Sequence, residues 1–252
     1  MKIIIKHIFI ILLSSSAIFA SDFSFRKYNH VKSFYEPLLK KTVQICLQHN
    51  IPPAAVLAIA GVESGYGRGY ISKITGNILS LGANKDDIML PPVTLPSYNG
   101  KVLILKSNIK KYSASSKWKK RAPSLKKDYR PDTYAGSTNN LDYFLLHPNK
   151  RKEANLECIE EFAKKWINEK SRFAPFREAK KKMNYIVEKS GKNALLDNKT
   201  NIEFIKTIGG RKNSFNYRKT WPKKVIKVMN KTGLVELTKS IYIEKKDFND
   251  AW

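Results

Sequence analysis

Glu63 is the residue of this chain best placed to do chemistry. It follows Ala54-Ala55-Val56-Leu57-Ala58-Ile59-Ala60-Gly61-Val62, a stretch apolar on every face of a helix, and precedes Ser64-Gly65-Tyr66-Gly67, whose glycines stop that helix. A carboxyl group at the exit of a buried helix is partly stripped of water, which disfavours its charged form. The negative end of the helix macrodipole disfavours the same charge. Both effects predict an acid that holds its proton near neutral pH, the property a glycosidase requires of the group that protonates a leaving oxygen.

Other chemistries find little support. The run Gly65-Tyr66-Gly67-Arg68-Gly69 has the wrong spacing for a dinucleotide-binding turn and follows a helix instead of a strand. No P-loop and no serine nucleophile elbow occurs. His30, His49 and His147 stand isolated in the sequence, so no metal site and no cofactor is expected.

The elements that must position Glu63 are mostly helical. Apolar spacing predicts a helix over Ser33–His49, then Pro52 and Pro53 at the start of the buried helix that carries Glu63. From Pro91 to about Arg130 the pattern changes. Val93-Thr94-Leu95 and Val102-Leu103-Ile104-Leu105 read as strands around a turn at Tyr98-Asn99-Gly100. No Asp or Glu occurs from Ile88 to Lys127, which suggests a basic rim. Helical spacing returns over Thr138–His147, Glu153–Glu169, Phe173–Lys189, Asn201–Thr207 and Pro222–Lys231, and the tail from Gly233 reads as mixed, its last residues surface or frayed. The fold expected is α+β and mainly α: a helical domain with a small β-lobe, about residues 84–132, inserted after the catalytic helix.

The first twenty residues have the layout of a secretory signal peptide: Lys2 and Lys6, an apolar run over Ile8–Leu13, and Ala20 at a cleavage point. The run is too short for a comfortable membrane span of about 20 residues. The expected product is a single exported domain over 21–252, periplasmic or secreted. The chain carries 47 Lys and Arg against 21 Asp and Glu, a formal net charge of +26. Without Lys2 and Lys6 the balance is +24, which favours polyanionic partners. Export argues against nucleic acid and for the cell wall, anionic lipid, or the carboxylates of peptidoglycan stem peptides. Cys46 and Cys158 read equally as a disulfide or as two buried thiols.

Ala58-Ile59-Ala60-Gly61-Val62-Glu63-Ser64-Gly65-Tyr66-Gly67 resembles the A-x-x-E-S-G-[WY]-G signature of the bacterial glucosaminidase family, which includes flagellar muralytic domains and many autolysins. Gly76-Asn77-Ile78-Leu79-Ser80-Leu81-Gly82-Ala83 resembles the G-N-N-L-F-G-I-K segment that follows it, and Trp221-Pro222-Lys223-Lys224-Val225 a later Y-P-x-K-V stretch. Together they cover about Tyr35 to Gly233. The resemblance implies a lysozyme-like fold and hydrolysis of the β-1,4 bond on the reducing side of N-acetylglucosamine in peptidoglycan, with Glu63 as general acid. Tyr66, which adjoins Glu63, is a candidate for sugar contact, as are Ser64 and Asn77 within the first two motifs. Aromatic faces at Tyr98 and Tyr134, and more weakly at Tyr70 and Trp118, are further candidates.

The chain departs from that family in two places. No acid stands in the β-lobe stretch Thr94-Leu95-Pro96-Ser97-Tyr98, which leaves Asp87, Asp86, Asp128 and Asp132 as candidates for a second carboxylate, or a substrate-assisted route that needs none. The family's late Tyr falls on Phe215, with Tyr217 available two residues on. The alternatives kept are a lytic transglycosylase and a catalytically inactive wall-binding or scaffold protein.

Overall fold

A computed structural model of the protein describes residues 23–252. The proposed signal segment, 1–20, lies outside the described residues. Two helices, α1 (Asn29–Tyr35) and α2 (Leu39–Gln48), stand where the spacing predicted one. Pro37 lies between them and cannot donate to a continuous helical ladder, so the chain turns there.

The central helix, α3, runs over Pro53–Ser64. Every residue from Ala54 to Ala60 is fully buried. Pro52 supplies no side-chain cap at its start. Instead Asn201 reaches across, accepting from the Ala55 N–H at 2.8 Å and donating to the Leu195 and Asp197 carbonyls. A buried helix end without such a partner would leave its free N–H groups uncompensated. Gly61 sits where the Tyr35 hydroxyl and the Tyr66 ring close on α3, leaving no room for a side chain.

A short helix, α4 (Tyr70–Thr75), leads into a three-stranded antiparallel sheet of β1 (Val93–Tyr98), β2 (Lys101–Val102) and β3 (Lys117–Arg121), in the order β2-β1-β3. The turn at Asn99-Gly100 has positive φ at both residues, 46° and 71°, as a two-residue hairpin needs. Only Lys101 and Val102 of the expected second strand pair with β1. Beyond them Ile104 drops into a small apolar cluster with Ile74, Leu90, Val93 and Leu95. Between β2 and β3 lies α5 (Lys106–Lys111). β3 gives no alternating pattern because its side chains, Lys-Trp-Lys-Lys-Arg, are nearly all exposed, as suits a sheet edge guarded by lysines. The stem of this lobe is tied by Ala83 N–H to Leu125 C=O (2.8 Å) and Lys127 N–H to Leu81 C=O (3.1 Å).

The helical body resumes with α6 (Tyr143–Leu146) and α7 (Pro148–Glu161), the latter continuing as a π turn over Phe162–Trp166. It is completed by α8 (Ala174–Ser190), α9 (Asn198–Ile208), α10 (Trp221–Thr232), α11 (Leu234–Tyr242) and α12 (Phe248–Ala251). α3 packs against α2, α9, α10 and α11. The chain is thus mainly helical with a small β-lobe after the buried helix, as expected. Residues 243–252 lie mostly at the surface, as expected, but the end is held: Arg26 donates to the carbonyls of Ala251 and Trp252 at 2.9 and 2.7 Å, and Leu234 and Leu237 before it are fully buried. Cys46 and Cys158 are unjoined and buried, and burial pushes both thiols up, Cys158 to about 12. They serve as small apolar residues. Among the described residues no helix is long and apolar enough to cross a membrane.

Asp128 and Arg130 form a fully enclosed ion pair at 2.7 Å, and Arg130 also donates to the Asn139 and Ser137 carbonyls. Removing one partner strands the other charge. Asp128→Ala should therefore lower unfolding free energy by about 3–5 kcal/mol, read as a fall in the denaturation midpoint in urea.

Candidate active site

Glu63 lies on the last turn of α3, half-buried. Its Oε1 accepts a 2.7 Å hydrogen bond from the indole Nε1 of Trp221, the first residue of α10. Trp221 is almost wholly buried, and a buried indole N–H must find an acceptor. The ring is seated on Gly209, where a Cβ would overlap it, and against Phe215, whose ring centroid is 5.5 Å away. Phe215 in turn packs on Phe162 and Phe176. The loop 209–217 is pinned by Gly210 N–H to Asn216 C=O and Phe215 N–H to Ile208 C=O, both 2.8 Å.

The β-lobe stem brings a second group to the carboxyl. Lys126 donates to the Ser80 carbonyl at 2.6 Å, and its ammonium acts on Glu63 through space. Asn77, fully buried, holds the stem in place: its amide donates to the Leu81 and Lys127 carbonyls, and its Oδ1 accepts from the Leu81 N–H.

Burial raises the Glu63 pKa above the usual carboxylate range. The bond from Trp221, the charges of Lys126 and Lys224, and a hydrogen bond from Asn216 oppose it without cancelling it. Among the described residues, no carboxylate stands with these groups. The site is a carboxyl whose neutral form is favoured by burial, with Oε1 held by Trp221 and cations near enough to stabilise its anion.

The residues singled out from the sequence separate into three places. Ser64 belongs to the helix end: its hydroxyl donates to the Ala60 carbonyl and accepts from the Gly67 N–H at 2.8 Å. Tyr66 adopts a left-handed conformation, φ 56°, and folds back over Gly61, edge-on to Phe34 and Tyr35. Positions 61 and 63 are about 200° apart around a helix, so the Tyr66 ring lies away from the face that carries the Glu63 carboxyl. Asp87 is not opposite Glu63: its carboxylate accepts from the Asn84 N–H and pairs with Lys127 at 3.1 Å. Burial acts to raise its pKa, but these bonds bring it below the usual range. Asp86, Asp87, Asp128 and Asp132 all line one cavity of about 470 Å³, whose lining does not include Glu63. Asp128 is further excluded as a catalytic group by its enclosure with Arg130.

In the β-lobe, Tyr98 stacks on Tyr112 at 4.4 Å and Trp118 is exposed, so both offer flat faces. Tyr134 is tilted against Tyr143, which lines the 470 Å³ cavity, and Tyr70 lies under the Arg121 guanidinium. Tyr217 is 71% exposed, next to Asn216. Sequence reasoning missed Trp221, Lys126 and Asn216 as groups acting on Glu63. For Trp221 a signal existed, since it opens the Trp221-Pro222-Lys223-Lys224-Val225 stretch. Lys126 is one lysine among many and carried none.

No family model matches the chain, and no curated protein matches it. Among solved structures it is similar to the catalytic domain of the autolysin Auto from Listeria monocytogenes, at 15% identity and a TM-score of 0.45, over 82% of this chain and 87% of that one.

A raised folded-state pKa means that the native protein binds more protons than the unfolded chain between the two pKa values, so this group's contribution to stability falls as pH rises through that window. Glu63→Gln keeps an acceptor for Trp221 and removes the titration. The variant should be at least as stable as the parent near pH 7, with the difference shrinking towards pH 4, read by thermal denaturation at both. Gly209→Ala should displace the Trp221 ring and cost about 1–3 kcal/mol by overpacking, seen as a lower melting temperature and altered tryptophan fluorescence.

Proposed function

We propose that the protein is an exported peptidoglycan hydrolase that cleaves the β-1,4 bond on the reducing side of N-acetylglucosamine, with Glu63 as general acid. One observation carries the reading: a half-buried carboxyl with a raised pKa, anchored through one oxygen to the Trp221 indole and faced by Lys126. With Oε1 accepting from Trp221, the proton belongs on Oε2, which gives it to the departing glycosidic oxygen. The carboxylate so formed is stabilised by Trp221 and Lys126, and then accepts a proton from the water that completes hydrolysis.

Two-carboxylate mechanisms need a base or nucleophile across the bond. Asp86, Asp87, Asp128 and Asp132 line a different cavity, which favours attack on the anomeric carbon by the sugar's own N-acetyl oxygen. Tyr217, exposed beside the Glu63 neighbour Asn216, is the candidate to orient that group. Tyr98 and Trp118 are the candidates for sugar stacking in the β-lobe. Residues 21–252 then act as one catalytic domain, exported after loss of 1–20.

Among the described residues no second carboxylate acts on Glu63, which also favours a lytic transglycosylase, in which a hydroxyl of the sugar replaces water. Mass spectrometry of fragments released from purified peptidoglycan separates the two. Reducing-end N-acetylglucosamine, lost with Glu63→Gln by a factor of about 10²–10⁴, is the expected result. Anhydro-muramyl ends would make the protein a transglycosylase. No release by either parent or variant would leave a wall-binding protein.

A further inference from the structure

A second cavity, of about 430 Å³, lies on the other side of the α3 end. Its lining includes Arg68, Lys73, Arg151 and Lys152 and, among the described residues, no carboxylate. None of these four cations forms a salt bridge among the described residues. Burial lowers the Lys73 pKa, and the neighbouring charges of Arg151, Arg68 and Lys101 lower it further. Burial likewise lowers Arg151, whose Nε is enclosed without a hydrogen-bond partner while its Nη2 donates to the Gly67 carbonyl. Like charges gathered without a counter-charge are costly, the more so for the half-buried Lys73 and Arg151, and they attract an anion. The start of α7 points the same way. Pro148 and Asn149 line the cavity, no side chain caps this 14-residue helix, and its first turn holds no acid. Its free N–H groups and dipole favour negative charge.

The rest of the wall mixes apolar surface, from Phe34, Leu38 and the Tyr66 ring, with the uncharged polar groups of His30, Ser33 and Asn155. A bare phosphate would leave that surface unused, whereas a carboxylate at the end of a short aliphatic peptide would use both. We propose that this cavity binds a peptide carboxylate, with Arg151, Lys73 and Arg68 as its cations. The identification of that peptide with the stem peptide of peptidoglycan rests on the hydrolase reading above; the site itself does not. The unusual backbone of Tyr66 then has a use, since its φ of 56° turns the ring from the Glu63 face into this wall.

Isothermal titration of the purified protein tests the site without any reference to hydrolysis. The probes are a peptidoglycan stem tetrapeptide with free carboxylates, the same peptide amidated, and inorganic phosphate. The free peptide should bind and the amidated one should not. Arg68→Gln, at an exposed position, and Lys73→Gln should each weaken binding by about tenfold or more, the scale of one lost charged hydrogen bond; Glu63→Gln should leave it unchanged. Thermal denaturation confirms that each variant is folded. Binding that ignores both cation variants, or no binding at all, overturns the proposal, and phosphate binding as tightly at the same residues overturns the peptide assignment. Peptide binding without wall digestion would retain the site and remove the hydrolase reading; the reverse would remove only the site.

Discussion

The hydrogen bond from the Trp221 indole to Glu63 ties together parts of the chain 158 residues apart. It holds only because α3 and α10 are packed side by side and because Gly209 leaves space for the indole. It solves two problems at once. A buried indole N–H obtains its acceptor, and a carboxyl at the end of an apolar helix obtains a donor that fixes its orientation without neutralising it. A cation in direct contact would have depressed the Glu63 pKa; an indole leaves burial as the dominant effect.

The charge of the molecule is organised around that centre. Acids are scarce, and six of them (Asp86, Asp87, Asp128, Asp132, Glu153 and Glu157) line one cavity together with Lys127, Arg130 and Lys150. The two whose bonds are best defined hold loops: Asp128 secures the segment up to Asn139 through Arg130, and Asp87 closes the 84–87 turn and pairs with Lys127. Cations dominate elsewhere. Lys126 and Lys224 act on the Glu63 carboxyl, and Arg68, Lys73 and Arg151 crowd the cavity behind it. An anionic polymer would meet favourable potential on both sides of the α3 end.

The sequence was a good guide where one physical signal acts alone. An unbroken apolar run means a buried helix, and α3 is that helix. Asn99-Gly100 means a two-residue hairpin, and the φ values agree. It was a poor guide where side chains are exposed or where proline interrupts a good pattern. β3 has no apolar alternation to read, and Pro37 divides a helix whose spacing is otherwise continuous. The contacts that secure the surface tail, from Arg26 to Ala251 and Trp252, cross more than 220 residues and leave no local signal.

By itself the sequence determined that a carboxyl would stand at the mouth of an apolar helix, followed by glycines that end it, within a basic and mainly helical chain. Those properties are local, set by composition and by the period of a helix. Only the tertiary structure decided what surrounds that carboxyl. Trp221 and Asn216 come from the far end of the chain, Lys126 comes from the base of the β-lobe, and the four aspartates nearest in expectation face another cavity. Tyr66, three residues from Glu63, lies on the other face because the backbone reverses handedness between them. Distance along a chain does not set distance in space once helices pack, and a proton's affinity for a carboxyl depends on the second distance alone.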